Sequence, residues 1–345
     1  MVIAIMRQLV MTSPGALDWQ DTREPDLRGD AEALVRPLAV ATCDLDGPIV
    51  RGETPIPGPV AVGHEGVAEV LAVGGAVTSV RPGDRVVVPF QISCGECDRC
   101  RRGLTGSCQA VADRSMFGFG AFGGDWGGFL ADVVRVPFAD AMLVPAPAEV
   151  DPLAIASASD NLPDALRTVA PHLAARPGAE VLVLGGGARS IGLYATGMAV
   201  ALGASRVTYY DRDERRLAIA SDLGAEAVDA DPPYRTERQV PIVLDAGASR
   251  ESLACACRST EPGGTCTHVG ILYEPETPVP LLEMYTTGVT LHVGRAMARA
   301  EIPAVLDLVA SGRIDPSVVT DRVVPWEEAA QALLEPHTKL VFARD

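Results

Sequence analysis

The chain has 345 residues, of which 48% are hydrophobic and 21% are charged, and its formal net charge at pH 7 is −16. A chain of this length can build two domains, each with its own hydrophobic core. The acidic balance argues against nucleic acid, whose phosphates attract a basic surface, and against anionic membranes. No run of about 18 apolar residues is present, so we expect no membrane span.

Residues 1 to about 150 are predicted to be mostly β-structure, because short apolar runs alternate there with Pro and Gly. Helical periodicity is hard to find in this part of the chain. The predicted strands cover Ala33–Thr42, Gly66–Val73, Arg85–Pro89, Phe129–Val136 and Ala141–Val144. The pattern is typical of a partly open barrel with long loops.

The pattern changes after residue 150. From Asp151 to Ala174 apolar residues recur at helical spacing, and Pro163 and Pro171 are expected to divide this run into pieces. From about Ala179 strands and helices alternate, which predicts right-handed βαβ units and a parallel sheet covered on both faces. The predicted strands are Glu180–Leu184, Arg206–Tyr210, Val240–Leu244, Gly264–Gly270 and Val289–Val293, and the predicted helices are Ser190–Leu202, Asp213–Leu223 and Glu301–Ser311. The tail, Val323–Asp345, has strand–helix–strand character and is expected to return to the first domain.

Four cysteines lie close together at Cys94, Cys97, Cys100 and Cys108. Thiolates in a tetrahedral array are the ligands that structural zinc prefers. Iron–sulfur binding is the alternative, but the bacterial cluster pattern has a shorter last gap and a following Pro, where this chain has Gln109. We predict a zinc ion that stabilises a loop without a core of its own. Clustered cysteines also indicate metal binding rather than disulfides, and hence a reducing, cytoplasmic location.

A second set of residues could hold a catalytic metal, which needs about three protein ligands and one open position. Cys43 and His64 are the first two candidates, and Asp46 could accept a hydrogen bond from the imidazole nitrogen that faces away from the metal. No Cys lies between positions 108 and 255, so the domain junction offers no thiolate, but it does offer the carboxylates of Asp160 and Asp164 as a third ligand. Asp160 is our choice and Glu65 is the alternative. Asp160 could instead be a helix N-terminal residue stabilised by the helix dipole.

A glycine-rich turn follows the strand that ends at Leu184, and a helix follows the turn. Glycines there would let a pyrophosphate approach the helix N-terminus. Gly185 and Gly187 have the first spacing of a G-x-G-x-x-G pattern, but Ser190 stands at the third glycine position. Ile191 and Gly192 follow, as if residues had been inserted, and we include both in the predicted cofactor site.

The next strand ends at Asp211, about 20 residues further on, where an acidic side chain would bind the ribose 2′-hydroxyl of NAD. An Asp would repel the 2′-phosphate of NADP, so NAD is predicted. Arg212, Arg215 and Arg216 follow closely and keep NADP as the alternative, although they could equally form a solvated helix face.

With these residues in hand, the chain resembles the zinc-dependent alcohol dehydrogenases of the medium-chain dehydrogenase/reductase superfamily over essentially its whole length. The motifs that carry the resemblance are Cys43-x2-Asp46, Gly63-His64-Glu65-Gly66-Val67, Gly83-Asp84-Arg85-Val86, the four-cysteine lobe, Gly185 to Gly192 with Asp211, and Leu244-Asp245-Ala246-Gly247.

This resemblance implies an α/β protein in which a GroES-like β-barrel catalytic domain, residues 1–153 and 296–345, is interrupted by a Rossmann domain, residues 154–295, with a doubly wound parallel sheet. It implies one catalytic zinc, one structural zinc, NAD(P), and a homodimer or homotetramer. Relatives with Ser-Asp-x-x-Pro-Thr at the domain junction use that Asp as a zinc ligand, and Ser159-Asp160 falls on this position. Two positions depart from the family pattern: Leu45 replaces the Ser or Thr that passes the alcohol proton outward, and Asp164 replaces Thr.

The implied function is hydride transfer between a small-molecule alcohol, or its carbonyl product, and NAD(P). A polyol, sugar or cyclitol dehydrogenase is the alternative within the family, since many such relatives share the Glu after the His. A zinc- and nucleotide-binding protein without turnover is the alternative outside the enzymes, and Leu45 is the feature that keeps it open. The expected substrate pocket includes Phe117, Phe119, Phe122 and Trp126.

Overall fold

The computed structural model describes residues 4–344, which form two compact units. One unit ends at Pro163 and resumes at Met297, and the other spans Asp164–Ala296. The domain boundaries predicted above, after residues 153 and 295, stay a prediction, and their outermost residues 1–3 and 345 lie outside the described chain.

The strands of the described chain follow from the apolar runs noted above. They are β1 (Ile5–Ser13), β2 (Ala16–Arg23), β3 (Ala33–Ala41), β4 (Val60–Ala61), β5 (Glu65–Val73), β6 (Arg85–Val88), β7 (Val134–Val136), β8 (Val144–Pro145), β9 (Val181–Leu184), β10 (Val207–Asp211), β11 (Glu226–Asp229), β12 (Val240–Asp245), β13 (Thr260–His268), β14 (Thr290–Val293), β15 (Arg322–Pro325) and β16 (Leu340–Ala343).

The α-helices are α1 (Asp46–Arg51), α2 (Asp98–Arg101), α3 (Ala139–Met142), α4 (Asn161–Ala175), α5 (Arg189–Ala201), α6 (Glu214–Asp222), α7 (Arg250–Ser259), α8 (Leu281–Thr287), α9 (Ala298–Ala310) and α10 (Ala329–Ala332). Single 3-10 turns cover Thr105–Ser107, Gly120–Gly123, Ala156–Ser159, Pro316–Val319 and Trp326–Glu328. None of the helices in the described chain is long and apolar enough to cross a bilayer.

The first unit is built on antiparallel strands around one apolar core. Its larger sheet has the order β15-β16-β3-β5-β6-β8, with β7 also paired to β3, and a smaller sheet has the order β2-β1-β4. The chain just before β7 joins the two sheets, because Leu9 donates to the carbonyl of Leu130 and Asp132 donates to that of Arg7. The tail returns to this unit as predicted, since β16 pairs with β3.

The second unit contains a six-stranded sheet in the order β11-β10-β9-β12-β13-β14, and each of its pairings is parallel. Counted along the chain, this is the 3-2-1-4-5-6 order of a doubly wound dinucleotide-binding sheet. The predicted fold class, a GroES-like domain combined with a Rossmann domain, is confirmed.

Three local predictions were wrong. Residues 141–144 are not a strand, because α3 ends at Met142 and β8 begins only at Val144. Of the run 129–136, only the last three residues form β7. The two prolines do not divide α4. Pro163 lies in its first turn, where a helix needs no N–H donor, and Pro171 is accommodated near its C-terminal end.

Candidate metal and cofactor sites

Four side chains from separate parts of the first unit converge on one point. Cys43, His64, Glu65 and Asp160 each offer a ligand atom, and these atoms lie within 4.8 Å of one another. All four residues are buried, and Asp160, at 8%, is the most exposed. The structure therefore brings together the three predicted ligands and the predicted alternative.

Ends of strands and one hydroxyl group place these ligands. Cys43 comes two residues after β3, and Glu65 begins β5, which pairs with β3. Ser159 holds the Asp160 segment against β5, because its Oγ accepts from the Gly66 N–H at 2.8 Å and donates to the Gly66 carbonyl at 3.0 Å. Distant parts of the sequence thus meet through ordinary sheet pairing and one buried serine.

Asp46 lies beside this cluster, as predicted, but its strongest contact is with the backbone. Its Oδ2 accepts from the Cys43 N–H at 2.7 Å. Its Oδ1 stands 3.5 Å from Nδ1 of His64, which has no hydrogen-bond partner among the described residues. Asp46 therefore fixes the turn that carries Cys43 and faces the imidazole edge away from Asp160.

The donor set fits a zinc ion. Among the described residues, both ring nitrogens of His64 and Oε1 of Glu65 are buried without a hydrogen bond, which is costly unless another partner binds them. Nε2 of His64 stands 3.6 Å from Oδ2 of Asp160. Ligand atoms on a tetrahedral zinc stand about 3.3–3.8 Å apart, given bonds of about 2.0–2.3 Å. One thiolate, one imidazole and one carboxylate would leave a position open.

Without a bound cation, the buried ionisable groups of the cluster shift one another's pKa values. Burial, followed by the charge of Asp160, raises the pKa of the Cys43 thiol well above its ordinary value. Burial alone would lower the pKa of His64, but the carboxylates, Asp46 first, raise it to about 9. Burial also raises the pKa of Glu65 to about 8, although Lys339 opposes that change. A divalent cation would reverse this crowding of negative charge.

Two residues of this site were missed by the sequence analysis. Lys339 is completely buried, and its ammonium group donates to Oε2 of Glu65 at 2.9 Å and to Oδ1 of Asn161 at 2.7 Å. Asn161 in turn donates from Nδ2 to Sγ of Cys43 at 3.4 Å. The available signal was a lysine directly before the apolar strand β16, where a buried charge requires partners.

The four cysteines of the lobe also converge, and their ligand atoms lie within 4.8 Å of one another. Backbone N–H groups point at the sulfurs: Cys100 and Gln109 donate to Sγ of Cys97, and Cys94 and Ala110 donate to Sγ of Cys108, all at 3.4 Å. Donors arranged in this way stabilise thiolates, so the set fits a four-sulfur zinc site.

The lobe thiols differ in their pKa values. The N–H groups of Gln109 and then Cys100 lower the pKa of Cys97 to about 6. Burial raises the pKa of Cys100 to about 12. Cys97 is therefore ready to bind a cation at neutral pH, whereas Cys100 must release its proton to solvent when a metal binds.

In the second unit, the predicted glycine turn joins β9 to α5, as expected. Gly187 donates to the carbonyl of Gly247 at 3.0 Å, and a Cβ on Gly186 would meet Gly247 at 2.9 Å. The close approach between helix and sheet occurs at Gly192, where a Cβ would stand 3.2 Å from Cβ of Ala246. Ser190 is completely buried. Gly192, rather than Ser190, therefore has the role of the third glycine, which is to let the helix pack closely on the sheet.

Asp211 ends β10 at the expected place, but protein groups already surround its carboxylate. Arg216 donates to both oxygens, at 2.7 and 2.8 Å, and the Tyr209 hydroxyl donates at 2.8 Å. The backbone N–H groups of Arg212 and Asp213 also donate to it. Only 3% of the side chain is exposed, so Asp211 would have to release a partner before it could bind a ribose diol.

A further buried pair at the carboxyl ends of β12 and β13 was also missed. Oδ2 of Asp245 lies 2.6 Å from Nδ1 of His268, and the Ser252 hydroxyl donates to Oδ1. Parallel strands bring 245 and 268 to the same sheet edge, which no local pattern reveals.

The aromatic residues expected in the substrate pocket occupy different places. The Phe119 ring packs on His64 with centroids 4.8 Å apart, as does Phe90 at 5.8 Å. Phe117 is instead completely buried against Phe129 in the core. Leu45 is half-buried against the same core, so an apolar side chain occupies the position of the family hydroxyl.

Comparison with known proteins shows the same two parts. The family model described as "Alcohol dehydrogenase GroES-like domain" matches residues 29–148, and the one described as "Zinc-binding dehydrogenase" matches residues 190–311.

Relatives align over most of the chain. The "Probable zinc-binding alcohol dehydrogenase" of Mycobacterium tuberculosis is 30% identical over 94% of this chain and 84% of its own length. Geraniol dehydrogenase of Castellaniella defragrans is 30% identical over 90% of this chain and 88% of its own length. The solved structure of the alcohol dehydrogenase TADH from Thermus sp. ATN1 is 32% identical, with a TM-score of 0.89 over 98% of this chain and 100% of the other. The chain therefore belongs to the zinc-dependent alcohol dehydrogenase family of the medium-chain dehydrogenase/reductase superfamily, whose members are oxidoreductases.

Proposed function

We propose that this protein transfers a hydride between a small-molecule alcohol, or its carbonyl product, and NAD, with a zinc ion held by Cys43, His64 and Asp160. The observation that carries the proposal is the buried cluster of these ligand atoms, in which neither ring nitrogen of His64 makes a hydrogen bond within the described chain. When bound, zinc would polarise the substrate oxygen, and the nicotinamide would accept or return the hydride.

The chain's own residues would orient the substrate and remove water. Phe90 and Phe119 flank the imidazole of His64, and Leu45 adds an apolar side chain to the turn that follows Cys43. Apolar surroundings of this kind favour an alcohol that carries a hydrocarbon group. A polyol, sugar or cyclitol is the second candidate, favoured by Glu65, whose buried carboxylate belongs to the cluster and would accept a hydrogen bond from a further substrate hydroxyl.

The proton of the alcohol needs a different route from the family hydroxyl, because Leu45 cannot accept it. We assign this role to a water chain or to Glu65, which is buried at the cluster and whose Oε1 makes no hydrogen bond in the described chain. A carboxylate that Lys339 already holds at 2.9 Å is positioned for such a transfer.

NAD is our proposed cofactor because Asp211 places a negative charge where NADP would carry its 2′-phosphate. Arg216 offsets part of this charge, while Arg212 is paired with Asp229. We therefore expect a preference for NAD that is smaller than an unpaired Asp would produce. Comparison of kcat/KM for the two cofactors with one alcohol tests it, and a preference for NADP would contradict it.

The decisive experiment is a substrate screen on purified, zinc-loaded protein. Aliphatic, aromatic and polyhydroxy alcohols are offered with each cofactor, before and after chelation, and reduced nicotinamide is measured. Turnover that disappears with the chelator and returns with zinc supports the proposal. Tight binding of zinc and cofactor without turnover of any alcohol or aldehyde would instead indicate a non-catalytic relative.

The matched variant is Cys43→Ser, which removes the thiolate and keeps the shape of the side chain. We expect kcat/KM to fall at least about 100-fold, since a catalytic metal contributes several kcal/mol. The free energy of unfolding should change little. Cys255→Ser, which alters a buried thiol of the second unit, is the control. Full activity in Cys43→Ser would refute the assignment.

We also infer that the protein self-associates through the second unit. Strand β14 ends the parallel sheet, and the adjacent helix α8 has no buried residue. Leu281, Leu282, Tyr285 and Val293 are between 69% and 81% exposed. An unpaired strand edge beside an apolar patch suits a second copy of the chain, in a dimer or tetramer.

A further inference from the structure

Lys339 is the only lysine in a chain that has 29 Lys and Arg residues in total. It is 0% exposed, and its ammonium group donates to the carbonyl of Thr42, to Oε2 of Glu65 and to Oδ1 of Asn161. A compact ammonium group has three donors that can meet three converging acceptors, whereas guanidinium is planar and larger. The single lysine therefore occupies a place into which an arginine, the chain's other and far commoner basic residue, would fit badly.

The contact with Asn161 determines how that amide is oriented. Because Oδ1 faces the ammonium group at 2.7 Å, Nδ2 faces the metal ligands. It donates to Sγ of Cys43 at 3.4 Å and to Oδ2 of Asp160 at 3.2 Å. If the amide were flipped, its oxygen would face a thiolate and a carboxylate, and the hydrogen bonds would be replaced by repulsion.

The contact with Glu65 has a second consequence. Glu65 is the fourth residue of the buried cluster, whose ligand atoms lie within 4.8 Å of one another. Lys339 holds Oε2 of Glu65 in a fully buried ion pair, in which both side chains are 0% exposed. Removing one partner of a buried ion pair strongly destabilises the fold, so we expect Lys339 to keep the Glu65 carboxylate in its place beside the three proposed ligands.

We propose that Lys339 and Asn161 are positioning residues of the metal site: Lys339 orients the Asn161 amide, which donates to Cys43 and Asp160. The inference rests on the proposed zinc site and goes beyond it, because neither residue is itself a ligand. Partners of this outer kind typically change metal affinity about 10- to 100-fold when they are altered.

The test is cadmium NMR of the full-length protein loaded with ¹¹³Cd, because the chemical shift of this nucleus reports the number and geometry of its sulfur ligands. Wild-type protein should show a four-thiolate signal from the lobe and a separate one-thiolate signal. Asn161→Asp keeps the side-chain shape but replaces the donor with an acceptor, and Lys339→Met removes the ammonium group. Both variants should move the one-thiolate signal and leave the lobe signal in place.

Release of the metal to a chelator provides the second readout. We expect release from the one-thiolate site to be at least about tenfold faster in both variants. Lys339→Arg should fail to restore the wild-type signal, because a planar guanidinium cannot meet the same acceptors. Arg135→Met is the matched control, since it breaks another poorly exposed ion pair of the same unit, with Glu32, and should leave both signals unchanged.

The outcomes separate the two proposals. If wild-type protein shows no one-thiolate signal, the proposed metal site itself is wrong. If that signal is present but neither variant shifts it or speeds metal release, the positioning role is overturned and the site stands. If Lys339→Met does not fold, as judged from the lobe signal, Asn161→Asp decides the question alone, because it keeps both the volume and the lysine.

Discussion

Two glycines without any ligand atom control the position of His64. Gly63 has a φ of +88°, and a Cβ there would meet the backbone nitrogen of Leu130 at 2.9 Å. Gly118, with a φ of +78°, lies directly on the histidine, and its Cβ would stand 2.8 Å from the Gly63 carbonyl oxygen and 2.9 Å from Cβ of His64. His64 therefore has its place only because the segments at Leu130 and Gly118 can approach the backbone of Gly63 and Cβ of His64 closely.

Gly118→Ala should displace His64 and weaken the zinc site. Backbone strain alone costs about 1–2 kcal/mol for a residue with a Cβ, and the collision with His64 adds to it. We expect catalytic zinc, measured as metal per chain, to fall by more than half. Gly127→Ala is the control, because its φ of +85° imposes similar strain but its Cβ meets nothing within 4 Å. Equal zinc loss in the two variants would contradict this account.

The lobe thiols should differ in reactivity when zinc is removed. Since the pKa of Cys97 is lowered to about 6 and that of Cys100 is raised to about 12, Cys97 is mostly thiolate at pH 7 and Cys100 is not. Alkylation by iodoacetamide, located by mass spectrometry, should therefore rise with pH around 6 for Cys97 and stay slow for Cys100. Zinc should protect both thiols. The pattern would be refuted if the two reacted at equal rates near neutral pH.

Among the elements, the ends of strands and helices carry the proposed metal site. His64 precedes β5, Cys43 follows β3, Asp160 precedes α4, and Lys339 precedes β16. Pairing between β3, β5 and β16 brings these ends together. A shorter element holds another loop of the same unit: Asp140 in α3 accepts from the backbone N–H groups and the hydroxyls of Thr78 and Ser79.

Asp140→Asn should lower stability in a pH-dependent way. The N–H groups and hydroxyls favour the anion and lower the pKa of Asp140 to about 2, below its ordinary 3.8. Its contribution is thus present above pH 3.8 and is lost as the pH falls through about 2. We expect the variant to lose about 1 kcal/mol near pH 7, because solvent screens this exposed carboxylate.

Denaturant unfolding across a pH series measures this effect. The difference between wild type and Asp140→Asn should be constant at neutral pH and shrink as the pH drops below 4. Asp113→Asn, which removes the same charge at another exposed position, should have little effect at any pH. A difference that grew in acid would show that the contacts of Asp140 do not favour its anion.

For the whole molecule, the exposed end of the parallel sheet is the feature with the clearest consequence. Leu282→Glu on α8 should shift the protein towards the monomer, because it places a charge in the apolar patch beside β14. Light scattering coupled to size-exclusion chromatography measures the mass. Val323→Glu, at another exposed apolar position of the chain, should leave the mass unchanged. A wild-type protein that is monomeric at micromolar concentration would refute the inference.

The residue types at both proposed metal sites and the alternation of strands and helices in the second unit could be read from the sequence, because spacing and periodicity are local properties. The four lobe cysteines illustrate this, since their short spacing already confines their sulfurs to one region. Errors occurred where local patterns compete, as at residues 141–144, where an apolar run suited either a strand or the short helix α3.

The tertiary structure alone decided the environment of each site. Lys339 and Asn161 are 178 positions apart, and only the packing of the first unit makes the one orient the other. The occupied carboxylate of Asp211 likewise depends on side-chain orientations, which spacing does not encode. The sequence by itself determined which side chains could supply ligand atoms and ionisable groups. Tertiary packing determined which of them are left unpaired, because burial and partner geometry arise only when distant segments meet.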